Sequence, residues 1–224
     1  MTTSRRTRSD TGGQALSGVA LERERWSDAW RSLGVLEPRG LLDELAARYG
    51  EPHRAYHTLQ HLHECFAALV PAAGLAEHLA EVQLALWFHD AIYDTRAQDN
   101  EERSARWAAD SVARAGARDG VAARVHALVM VTKHAAVPAG RDAQLLVDVD
   151  LSILGASAER FAEYERQVRR EYAWVPETGF RQTRARVLGS FLARPRIYTT
   201  SWFEGRLEAR ARENLARSIA ELSG

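Results

Sequence analysis

The sequence predicts an all-α fold: one compact helical domain over residues 19–224 behind a flexible tail of residues 1–18. Three observations lead there. Apolar residues recur every three to four positions through most of the chain, the spacing that lines one face of a helix. No useful length alternates with the period of two that a half-buried strand requires. Breakers such as Gly34, Gly50, Pro52, Gly120, Gly155 and Pro195 fall between the apolar stripes, with no internal repeat or low-complexity linker.

Each helix has its own signature. Leu21 to Leu33 carries Trp26 and Trp30 at i, i+4, so both indoles share a face that is core or interface, and Gly34 ends it. Pro38 suits the first turn of the next helix, with Leu41, Leu42, Leu45 and Tyr49 as its stripe. From about Tyr56 a helix carries His57, His61, Cys65 and Leu69 at every fourth position, hence on one face. The next begins near Leu75 and leads through Leu79, Val82, Leu86 and Phe88 into His89-Asp90. Asp99-Asn100-Glu101-Glu102 is a helix opening, because Asp or Asn accepts free amide hydrogens and the glutamates complement the helix dipole. Its stripe is Ala105, Ala108, Val112 and Ala115. After Gly120 a helix is expected over Val121 to Val137, with Lys133 and His134 on it. Leu145 to Leu154 is short and apolar and stops at Gly155. Phe161, Tyr164, Val168 and Tyr172 mark a charged helix, followed by Thr183 to Leu192 and a last arginine-rich helix from about Phe203 to Leu222.

Composition excludes some classes of partner. The 224 residues carry 30 basic and 30 acidic side chains, so no global field draws the chain to a nucleic-acid polymer or an anionic membrane. No apolar run reaches the ~20 residues of a membrane span, and residues 1–18 lack the apolar core of a secretory signal. Cys65 is the single cysteine, which rules out an intrachain disulfide and fits a reducing, cytoplasmic setting.

Chemistry gathers around Trp87-Phe88-His89-Asp90, where an apolar run ends in an imidazole beside a carboxylate. One neutral nitrogen and one anionic oxygen make a metal-binding pair. His57 and His61 lie upstream, and Asp148 and Asp150 interrupt a later apolar run. A buried aspartate needs a partner, whether a metal, an arginine or the amides of a neighbouring helix end. At ~100° per residue the two aspartates stand ~200° apart, so at most one faces a common site. His53 and His63 fall off the face of His61 and read as surface residues.

Three segments together resemble the metal-dependent HD-domain phosphohydrolases, in particular a bacterial branch: Tyr56-His57-Thr58-Leu59-Gln60-His61, Ala85-Leu86-Trp87-Phe88-His89-Asp90-Ala91-Ile92-Tyr93-Asp94 and Asp148-Val149-Asp150-Leu151-Ser152. The first and last also resemble segments of cyclic-nucleotide phosphodiesterases. The resemblance implies an HD-domain-like bundle in which His61, His89, Asp90 and Asp150 hold one or two divalent ions (Mn, Co, Ni, Fe, Zn or Mg). It implies hydrolysis of a phosphoester of a small phosphorylated metabolite, a nucleotide, with His57 as proton donor. Thr58 stands where those phosphodiesterases have asparagine. Asp94 and Glu101 are expected to orient water or hold a second ion, and Lys133, with His134 beside it, to bind phosphate. Two other readings share these residues. His126 and His134 turned into the site would make a di-iron oxygenase centre, and the same cluster without turnover would make a metal- or nucleotide-binding protein.

Overall fold

The computed structural model describes residues 23–224, so the expected tail lies outside the described residues. Among those residues the protein is all helical, with no strand. Ten α-helices follow one another: α1 (23–32), α2 (Leu41–Tyr49), α3 (Leu59–Leu69), α4 (Leu79–Phe88), α5 (Asn100–Arg114), α6 (Val121–Val131), α7 (Arg141–Asp150), α8 (Ala158–Glu171), α9 (Glu177–Leu192) and α10 (Ser201–Ser223). Short 3₁₀ turns, Val70–Leu75 and Leu151–Gly155, extend α3 and α7.

Helix α4 is the centre. Val82 and Leu84 through Phe88 are all buried, so it is apolar on every side and needs neighbours all round. Each large side chain it removes from water contributes about 1.5–3 kcal/mol. Trp26 and Trp30 are fully buried, and Trp26 meets Trp87 edge-on at 5.5 Å, which settles that the α1 indoles are core. Buried Glu81 accepts from Arg124 at 2.6 and 2.8 Å and fastens α4 to α6. Ala105, Ala108 and Val112 are fully buried, their small side chains letting α5 lie along α6.

Several boundaries differ from the sequence expectation, and the differences shape the site. Pro38 precedes α2 rather than opening it, its carbonyl accepting from Leu41 N–H at 3.2 Å. Helix α3 begins at Leu59, because Thr58 is its N-cap and accepts from Gln60 N–H at 3.3 Å. Tyr56 and His57 therefore sit in the loop before α3, not on its face. Helix α6 ends at Val131, so Lys133 and His134 lie in the loop that follows, where His134 takes a left-handed φ of 54°. The carbonyl and amide of Asp94, not an Asp99 side-chain cap, engage the amide of Asn100 at 2.9 and 3.2 Å, which closes the loop leading into α5.

Candidate metal centre

The end of α4 meets the first turn of α3 and the last turn of α7. His61, on α3, presents Nε2 3.1 Å from His89 Nε2. Asp90 Oδ2 lies 3.0 Å from His89 Nε2 and 3.5 Å from His61 Nε2. Asp150 Oδ1 lies 3.2 Å from His61 Nε2 and 3.6 Å from His89 Nε2. Both histidines are only 2% exposed. Donor atoms bound to one ion at ~2.1 Å stand ~3.0–3.4 Å apart in octahedral or tetrahedral arrangements, so this spacing fits a shared cation.

The hydrogen bonding fits as well. His89 Nδ1–H donates to Leu86 O at 2.7 Å, which turns the Nε2 lone pair toward the cluster. Two facing imidazole nitrogens need a proton or a cation between them. Burial opposes protonating His89, yet Asp90 and Asp150 outweigh it and push its pKa well above the ordinary value. Asp90 and Asp150 are both held well below the usual carboxylate range, burial being outweighed by the histidines around them.

Cys65 is the neighbour that sequence reasoning missed as a ligand. One turn after His61 on α3, its Sγ lies 3.7 Å from both His61 ring nitrogens. His61, Cys65, His89 and Asp150 form a buried group whose donor atoms all lie within 4.8 Å of one another and that can hold a metal ion. Asp90 stands outside that tightest grouping but against both histidines. The i, i+4 spacing of His61 and Cys65 was the available signal.

A cavity of ≈ 620 Å³ opens over this cluster, with Asp90 and Asp150 on its floor and His57, Asp94, Glu101, Lys133 and His134 on its walls. Leu151, Leu154, Val168, Val187 and Phe191 add apolar surface to its lining. Asp94 is exposed at the rim, where Oδ1 accepts from Arg96 N–H at 2.9 Å. Lys133 is exposed, with no side-chain partner among the described residues. His134 also contacts the cluster, with Nε2 3.0 Å from Asp150 Oδ2. Its Nδ1 is buried without a partner. His126 does not join it, lying 4.0 Å from Glu102 and away from the cavity lining.

His57 is held by residues far away in sequence. Glu171, at the end of α8, accepts from the backbone N–H groups of Ala55, Tyr56 and His57 at 2.8–2.9 Å and from His57 Nδ1–H at 2.7 Å. Tyr93 donates to the same carboxylate at 2.9 Å and stacks on the His57 ring at 4.1 Å. Burial lowers the His57 pKa, but Asp90 and Glu171 more than compensate, and the net shift is upward. Burial likewise raises Glu171, and the His57 and amide donors bring it down to about 2. Buried Arg54 then joins the loops, donating to the carbonyls of His57, Asp90 and Ala91 at 3.1, 2.6 and 3.0 Å. No local pattern links Glu171 to His57 across 114 positions.

Comparison with protein-family models, curated proteins and solved structures finds no match. No helix among the described residues is long and apolar enough to cross a membrane.

Proposed function

We propose that the protein is a metal-dependent phosphohydrolase of the HD-domain type, acting on a small phosphorylated metabolite, a nucleotide. The observation that supports this reading best is the convergence of His61, His89, Asp90 and Asp150 beneath a cavity that also contains His57. These four residues would hold a divalent ion, Mn, Co, Ni, Fe, Zn or Mg, with Cys65 beside His61 favouring the thiolate-tolerant members of that series. Bound there, such an ion supplies Lewis acidity that lowers the pKa of water and polarises a phosphoryl oxygen.

The protein's own groups do the rest. Glu171 takes the Nδ1 hydrogen of His57, so Nε2 is the atom left to exchange a proton with substrate in the cavity. The raised His57 pKa keeps a proton available for the departing oxygen near neutral pH. Lys133 offers a free ammonium to a phosphate oxygen, and Asp94 and Glu101 accept hydrogen bonds from water or support a second ion at the mouth. The apolar surface around Phe191 and Val187 takes the non-reacting part of the substrate away from water.

The test is elemental analysis of the purified protein, run beside phosphate release from a nucleotide panel in Mn²⁺, Co²⁺ and Mg²⁺. Asp90→Ala is expected to lose metal and turnover together. His57→Ala is expected to keep the metal and lose about 10²–10⁴-fold in rate. Full metal content in Asp90→Ala, or no chelator-sensitive release from any substrate, would overturn the reading.

A further inference from the structure

A second cavity, of ≈ 540 Å³, lies behind His57, on the far side of Tyr93 and Glu171. Arg48, Arg96 and Arg103 line it with His53 and Trp174. Three acidic residues line it too, and each is engaged: Asp94 accepts from the Arg96 backbone N–H at 2.9 Å. Glu51 accepts from buried Arg54 at 3.1 Å, and Glu171 holds the His57 loop. Two of the three guanidiniums are not neutralised in return. Arg103 has no side-chain partner among the described residues, and Arg96 lies over the Trp174 ring at 4.5 Å with no carboxylate. The indole is fixed, since Trp174 Nε1–H donates to Thr95 Oγ1 at 2.8 Å, yet it remains 47% exposed. Unpaired cations beside a pinned, half-bare aromatic ring form a site for a planar anion.

We propose that this cavity binds a phosphate monoester carrying a planar ring, with Arg96 and Arg103 on the phosphate and Trp174 against the ring. A ligand here touches Tyr93 and Glu171 from behind, and those residues hold His57 at 4.1 and 2.7 Å. An influence of that ligand on turnover rests on the hydrolase reading. Binding itself does not.

The experiment is calorimetric titration of chelator-treated protein with adenosine 5′-monophosphate. Chelation removes any metal from the first cavity, and Lys133→Ala, on the wall of that cavity and not of the second, tells binding in one from binding in the other. One equivalent is expected to bind. Arg96→Ala/Arg103→Ala should weaken it about tenfold or more, and Lys133→Ala should leave it unchanged. Neither arginine is paired to a carboxylate, so the double variant should melt with the wild type. Quenching of tryptophan fluorescence by the ligand should disappear in Trp174→Phe. No saturable binding, or binding that survives the double substitution and is lost in Lys133→Ala, overturns the proposal. Because the titration involves neither metal nor turnover, a failed phosphatase assay leaves its outcome intact.

Discussion

Asp148 and Asp150 lie two residues apart on α7, in the same apolar run, and meet opposite surroundings. Asp148 is fully buried and faces the start of α10, where Thr199 and Thr200 donate both backbone N–H groups and both hydroxyls to it at 2.6–3.2 Å. Asp150 faces the other way, toward His61, His89 and His134. Burial pushes the Asp148 carboxyl up despite its donors, whereas Asp150 is held well below the usual range by histidines that outweigh the same burial. Neutral donors fix a buried carboxylate in place. Histidines around it, which a cation can displace protons from, give it the surroundings of a candidate ligand.

The largest way to break this contrast is to remove the structural member. Asp148→Ala leaves two amides and two hydroxyls unsatisfied at the entrance to α10, a loss of about 3–5 kcal/mol. In a thermal melt that is a fall of roughly 10 °C, at about 2–4 °C per kcal/mol for a domain of this size. The folded fraction should still take up metal. If it does not, the two faces of α7 are not separable.

Glu171 combines both environments, with backbone amides on one oxygen and His57 and Tyr93 on the other. Its folded pKa of about 2 lies below the ordinary 4.5, so its contribution is fully present above pH 4.5 and is lost as pH falls toward 2. His57 has the opposite sign. Its pKa is raised above 6.5, so its contribution is present below that value and is lost as pH rises through the folded pKa. Glu171→Gln should cost about 3 kcal/mol, shared with His57, and flatten the acid limb of a stability-against-pH curve between about 4.5 and 2. A variant that keeps the full acid limb would place the titrating carboxylate elsewhere.

Removing the binding member has a conditional effect. If the cluster holds a metal ion as proposed, Asp150→Ala should lose the stabilisation that the ion would give the wild type, about 2.7 kcal/mol at a free concentration one hundred times Kd. Melts with and without chelator measure it directly, and in the variant the two curves should coincide.

Much of this was legible in the sequence because helical periodicity is a local property. The all-α class followed from it, as did the burial of Leu41, Leu45 and Tyr49 on α2 and of Ala105, Ala108 and Val112 on α5, and the stop at Gly155. The ~100° turn per residue already implied that only one aspartate faces a common site. What was not legible depends on loops and on distant partners. His57 was expected on the α3 face because it continues the every-fourth-residue pattern, but Thr58 caps the helix and puts His57 in the loop. Lys133 and His134 were expected on α6, which ends two residues before Lys133. The left-handed backbone of His134, which accompanies its side chain at Asp150, carries only a weak sequence mark, since histidine is enriched in that region with asparagine and aspartate yet adopts it in few instances. Glu171 reads as one more acidic residue on a charged helix until α8 brings it under the His57 loop.

The smallest expected effect tests the structural face from its other end. Gly155 closes the turn after α7 where α10 crosses it, and a Cβ there would stand 2.7 Å from Leu207 Cβ and 3.0 Å from both Leu207 O and Tyr198 Oη. Its φ is not in the left-handed region, so the requirement is space rather than backbone freedom. Tyr198 donates to Leu151 O at 3.0 Å in the same contact, and so cannot swing aside freely. Gly155→Ala should therefore cost about 1–3 kcal/mol through a displaced α10, lowering the melting temperature by several degrees. Metal uptake should be unchanged, because the contact lies on the Asp148 side of α7. Weaker uptake would mean that α10 sets the position of Asp150 through the 151–155 turn, and that the two aspartates act through one rigid element.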